Sequence, residues 1–140
     1  MRYWRASIVV FAISSLLGGC YKEERPPIDY VLPANFEGAF AIVYRVADAP
    51  PLPTKEGRVQ VVVPAEPMPL ILTSSSPQDG WARDRYIMAG VPLSNKLVHH
   101  HALAAVNERC VFEHVVISHQ LQADGYQKAI QDRLKAHCRL

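Results

Sequence analysis

The chain has 140 residues, 49% hydrophobic and 20% charged, with 15 basic against 13 acidic residues and three cysteines. That length fits one domain, the apolar fraction excludes wholesale disorder, and the near-balanced charge leaves no electrostatic footprint for nucleic acid. Three cysteines are too few for a disulfide-dense miniprotein, and their odd number leaves one to be explained.

The N-terminus carries Arg2 and Arg5, then an uncharged apolar run of ten from Ile8 to Leu17, then small residues. A spanning helix needs about 20 apolar residues, so this run reads as an export signal over residues 1–19 rather than a membrane span. Its end, Leu17-Gly18-Gly19-Cys20, resembles the lipobox of bacterial lipoproteins. That resemblance implies cleavage before Cys20 and acylation of its thiol and new amino group, palmitate being the usual amide. Tyr21 stands where an aspartate retains such proteins at the inner membrane of enteric-type bacteria. The resemblance therefore implies the outer membrane, facing the periplasm. Two or three acyl chains hold firmly, at about 0.8 kcal/mol per buried methylene. Loss of residues 1–19 leaves 121 residues with 13 basic and 13 acidic side chains, so the slight basicity belongs to the leader. Residues 20–27 then form a lipidated cysteine and a charged, Pro-containing tether, YKEERPP.

From Ile28 to the C-terminus the chain reads as a single mainly β domain, an antiparallel sandwich-like fold with one C-terminal helix packed on the sheet. In the run from Phe36 to Val46, Phe36, Phe40, Ile42, Tyr44 and Val46 share one parity, the pattern of a half-buried strand. Glu37-Gly38 inside it suggests a bulge. A Pro-rich connection, residues 49–57, leads to Val59, Val61 and Val63, which alternate again. Short apolar runs at Met68–Thr73, Arg85–Ala89 and Val111–Ile117 complete the strand candidates. Glu56-Gly57, Asp79-Gly80 and Asp124-Gly125 read as turns. Residues 91–109 stay open, since Leu103–Val106 fits either a short helix or a strand. After Asp124, a candidate N-cap with Gln127 three residues on, Tyr126, Ile130 and Leu134 recur every four residues as the stripe of a docked surface helix.

Export implies an oxidising compartment, where Cys110 and Cys138 can pair once Cys20 is acylated. A strand from 110 to 118 rises roughly 27 Å and a helix from 124 to 138 roughly 21 Å. Packed back antiparallel, they bring both cysteines to the same end. The bridge would close a loop of about 28 residues and stabilise by roughly 3 kcal/mol.

His99-His100-His101 is the densest cluster of potential ligands. In a strand, His99 and His101 share a face that suits zinc, copper or nickel; the alternative is a solvated, extended segment. His114 and His119 do not form a pair. No nucleophile elbow, P-loop, dinucleotide-binding glycine run or metalloprotease motif is present, so no enzyme and no cofactor is expected. Trp81, Arg83, Asp84, Arg85 and Tyr86 combine residue types common at binding hot spots and form a candidate recognition surface. The alternative is that Trp81 caps the core while the charges alternate outward.

The segments Asp29–Gly38, Ala49–Pro53, Ser74–Pro77 and Gly80–Ala82 resemble an uncharacterised family of bacterial secreted domains. The family pairs a Pro-x-Asn-Phe-x-Gly opening with a Gly-Trp-Ala segment. It implies a compact β domain without an assigned activity. The expectation is a lipid-anchored envelope protein that binds another envelope component, its membrane contact made by the anchor. A periplasmic ligand or metal binder using His99–His101 is the alternative.

Overall fold

A computed structural model describes residues 22–107, 110–119 and 122–139. The export signal and Leu17–Cys20 lie outside the described residues. Among the described residues, nine strands and one helix follow in order. They are β1 (Ile28–Leu32), β2 (Gly38–Tyr44), β3 (Thr54–Lys55), β4 (Arg58–Val62), β5 (Leu70–Leu72), β6 (Arg85–Met88), β7 (Val91–Pro92), β8 (Val98–Asn107), β9 (Cys110–Ile117) and α1 (Ala123–Cys138). A single 3-10 turn, Asn95–Leu97, precedes β8.

The strands form two sheets that pack face to face, in the orders β3-β4-β1-β6-β7 and β5-β2-β9-β8. The chain crosses between them repeatedly. β1 lies in the first sheet, β2 in the second, β4 in the first, β5 in the second, and β6 back in the first. A strand that returns after visiting the opposite sheet can run in its original direction. Accordingly β1 pairs in parallel with both β4 and β6, and β2 in parallel with β5. The mainly β fold with a C-terminal helix is as the residue pattern indicates, but the sheets are mixed and not antiparallel throughout. Alternation reports which face a residue takes and carries no information about the direction of its neighbour.

Between the sheets lies the larger core. Ile28, Tyr30, Leu32, Val61, Val63 and Tyr86 of one sheet meet Phe40, Ile42, Tyr44, Val111, Val115 and Ile117 of the other. The second sheet is also covered on its far side, where Ile130 and Leu134 of α1 pack on Ala39, Ala41, Val43, Phe112 and Val116. The expectation of a half-buried strand at Phe36–Val46 therefore fails for β2, all seven of whose residues are buried. Its large side chains face the sandwich, and its small ones, Ala39 and Ala41, let the helix approach closely.

Other boundaries also moved. The open region 91–109 is chiefly a strand, β8, with a bulge between Val98 and His100. Glu56 and Gly57, with φ of 52° and 74°, close a tight β3-β4 hairpin, which suits the primed turn such hairpins favour. Asp124-Gly125 is not a turn, because α1 starts at Ala123. Gln122 takes the N-cap position without a side-chain cap, and Asp124 sits in the first turn, where its charge complements the helix dipole. Cys110 and Cys138 are disulfide-bonded, with Cα atoms 5.9 Å apart. The bridge ties the end of α1 to the start of β9.

Candidate functional site

The N-terminal segment is not a free tether over its whole length. Glu24 and Trp81 exchange hydrogen bonds along the chain. The Glu24 amide donates to the Trp81 carbonyl (2.9 Å), and the Trp81 amide donates to Glu24 Oε2 (2.9 Å). The Arg83 amide donates to Glu23 Oε1 at 3.0 Å. Arg25 donates from Nε to the Gly80 carbonyl (3.0 Å) and makes a bidentate pair with Asp84, at 2.9 and 2.6 Å. Asp84 also accepts from the Ile28 amide at 2.8 Å, which fixes the start of β1. Gly80 is required here: its φ is +103°, and a Cβ would lie 2.8 Å from the Glu24 Cβ. Residues 23–25 are thus clamped on the loop 80–84.

Beside the clamp, Asp29 on β1 gathers its cross-strand neighbours. Arg58 Nε donates to it at 2.6 Å, Arg85 donates at 2.8 and 2.6 Å, and Gln60 at 3.3 Å. The Arg85 hydrogen bonds, helped by Arg58 and Gln60, outweigh desolvation and hold the Asp29 carboxyl far below the usual carboxylate range. The pairing register explains the gathering, because Gln60 and Arg85 stand directly opposite Asp29.

The third polar group is buried between the sheets. Glu113, 6% exposed, projects from β9 into the apolar core. Its carboxylate accepts from the hydroxyls of Tyr30 and Tyr44, the latter at 2.9 Å, and from His101 Nε2 at 2.8 Å. Opposite Glu113 on β2 is Ile42, and opposite it on β8 is Leu103. Tyr44 and His101 are each two residues further along, so they reach Glu113 as diagonal neighbours on one face. His101 Nδ1 pairs with the Tyr86 hydroxyl at 2.8 Å, and Tyr86 stacks on Tyr30 with ring centroids 4.7 Å apart. Desolvation pushes the Glu113 carboxyl up, but the donors from His101, Tyr30 and Tyr44 prevail and its pKa lies below the ordinary value. Burial, and the nearby Glu113 charge, push the phenols of Tyr30, Tyr44 and Tyr86 above their ordinary range, so they stay protonated.

His101 opens to solvent through a shallow groove of about 470 Å³ lined by Trp81, Arg83, Asp84, Tyr86, Asn95 and Val98 as well. Of the predicted recognition residues, Trp81 and Arg83 are at this surface. Trp81 is 46% exposed, with the Arg83 guanidinium 5.8 Å from its ring centre. Arg85 is committed to Asp29 and lies at the flank. Tyr86 is buried, and its inclusion in a surface patch is corrected: facing Tyr30 across the parallel pair draws its ring into the core.

The histidine run is divided. His101 has both ring nitrogens hydrogen-bonded, whereas His99 is the extra residue of the β8 bulge, with its Nε2 buried and without a hydrogen-bond partner. Among the described residues, no group of three or more His, Cys, Asp or Glu side chains could hold a metal. The shared face expected of His99 and His101 assumed a regular ladder, which the bulge interrupts. Pattern reading missed Glu113, Asp29 and the clamp. Glu113 did carry a signal, as a charge at the inward parity of Val111, Val115 and Ile117.

Residues 24–89 match the model of a family of unknown function, DUF6843. The matched stretch covers just under half of the chain and runs from the clamp to the end of β6. A solved structure from Bacillus anthracis, called there a "Putative Lipoprotein", shares the fold at a TM-score of 0.57 and 17% identity. It covers 81% of this chain and 96% of its own. No curated protein matches the sequence. The chain is thus similar, through β6, to a family without an assigned activity, and in fold to a protein carrying the name of a lipoprotein.

Proposed function

We propose that this chain is a lipid-anchored protein of the bacterial cell envelope, which acts by binding and not by catalysis and uses Trp81 and Arg83 as its recognition surface. One observation carries the reading: Glu23–Arg25 are hydrogen-bonded to residues 80–84, only three residues after the lipobox-like Cys20. The chain therefore enters its fold beside an exposed tryptophan and arginine. The name of the Bacillus anthracis relative supports the anchoring. Binding is favoured over catalysis because the one imidazole lining the groove, His101, has both nitrogens engaged by Tyr86 and Glu113.

Expression of the full chain in a bacterium with labelled palmitate tests the anchoring. The wild type should be labelled and sediment with membranes, whereas Cys20→Ser should be unlabelled and keep its leader. A wild-type chain that is exported, unlabelled and soluble would overturn the reading. Tyr21 after the cysteine supports an outer-membrane placement, and density-gradient separation of the two membranes tests it. Photo-crosslinking from position 83 in intact cells would identify what the surface meets.

A further inference from the structure

We infer that the Trp81–Arg83 loop is a membrane-surface contact, seated in the phospholipid headgroup layer that holds the protein's own lipid anchor. The inference rests on the anchoring proposed above and names the partner of that surface.

Chain reach limits where this loop can be. From Cys20 to Glu23 are three residues, which span at most about 11 Å when fully extended. Glu23 and Glu24 are hydrogen-bonded to the amides of Arg83 and Trp81 themselves. An acylated Cys20 therefore keeps Glu23 within about 11 Å of the anchored residue, so the loop bonded to Glu23 can reach a headgroup layer about 5–8 Å thick on each side of the bilayer. No other exposed large apolar side chain is tied to the N-terminal segment by a described hydrogen bond; Val62, Leu72, Val91, Leu103 and Val106 lie on strands elsewhere.

The chemistry of the loop suits that layer. Tryptophan combines an apolar ring with a polar N–H and concentrates where hydrocarbon meets water. Lys22, next to the clamp in sequence, and Arg83, within it, are exposed cations that can meet lipid phosphates. Of the nearby carboxylates, that of Asp84 is paired with Arg25 and those of Glu23 and Glu24 are held by backbone amides of the loop, with Glu24 and Asp79 exposed. The clamp also spares the loop much of the ordering cost that a free tether would add on contact.

The sequence supplies its own probe. Its two tryptophans are Trp4 and Trp81, and cleavage before Cys20 leaves Trp81 alone. The mature full-length protein would be purified from membranes, weighed intact, and reconstituted into vesicles of phosphatidylcholine and phosphatidylglycerol. Matched vesicles would carry lipids brominated either near the headgroup end of the acyl chain or at mid-chain. The expected result is blue-shifted emission, with most intensity lost on the shallow brominated lipid and less on the deep one. Emission of a solvated indole, unquenched by either lipid, would overturn the inference. So would emission shielded from aqueous iodide but insensitive to bromine, which would assign the loop to a protein partner. An acylated mass with unquenched Trp81 refutes this inference alone, whereas an unacylated mass refutes the anchoring and this inference with it.

Discussion

Replacing Glu113 with leucine puts an apolar side chain of similar size in its place and strands the donors that converge on the carboxylate. Tyr30 is fully buried and Tyr44 nearly so, and both hydroxyls donate to Glu113. A buried donor without an acceptor costs about 1–3 kcal/mol, so two of them cost roughly 2–6 kcal/mol. That is a large share of the 5–15 kcal/mol of a typical domain, and the urea midpoint should fall accordingly at an unchanged slope. Adding Tyr30→Phe and Tyr44→Phe to Glu113→Leu removes the stranded hydroxyls and should recover most of the loss, because removing both partners of a buried hydrogen bond is close to neutral. A triple variant no more stable than Glu113→Leu would refute the account of Glu113 as the acceptor on which the core hydroxyls depend. The pH dependence follows the same group. In the folded protein the Glu113 pKa lies below its ordinary value of 4.5. Its contribution is therefore fully present above that value and is lost as pH falls through the folded value. Asp29, also depressed, contributes in the same direction. The difference between wild-type and Glu113→Leu stability profiles should shrink below pH 4.5 and isolate the share of Glu113.

Three further outcomes are expected. Reduction of the Cys110–Cys138 bridge, or Cys138→Ala, reopens a 28-residue separation. It should cost about 3 kcal/mol, read as a lower thermal midpoint, and equal midpoints with and without reductant would contradict it. Ile130→Ala removes the fully buried contact of α1 with β2 and β9 and should cost about 2–5 kcal/mol in urea unfolding. Gly80→Ala places a Cβ against Glu24 at a φ of +103° and should open the clamp. Amide exchange at Glu24, Trp81 and Arg83 should accelerate while the sheet cores keep their protection, and unchanged exchange at those three amides would count against the clamp.

Periodicity and turn chemistry made much of this fold legible from residues alone. Val59, Val61 and Val63 alternate because β4 has one face on the core, and Ile130 and Leu134 repeat at helical spacing because α1 docks along one stripe. The pairing of Cys110 with Cys138 was legible from strand and helix lengths on the condition that α1 packs back antiparallel on β9. Local pattern could not say that β2 would be covered on both faces, since that depends on where α1 returns. It could not give the direction of β4 and β6 beside β1, because side-chain alternation is the same for parallel and antiparallel neighbours.

The site divides along the same line. The sequence by itself offered the lipobox resemblance at Leu17–Cys20 and the segment with Trp81 and Arg83, and it held an unread signal in Glu113 at the inward parity of β9. Each is a statement about residue type and spacing within one segment. Only the tertiary structure decided that Tyr86 is core, that Glu113 is met by three donors from three other strands, and that Glu23–Arg25 bind the loop 80–84. These contacts join residues separated by 12 to 83 positions. No pattern within a single segment encodes them, and it is the register between strands that brings them within hydrogen-bond reach.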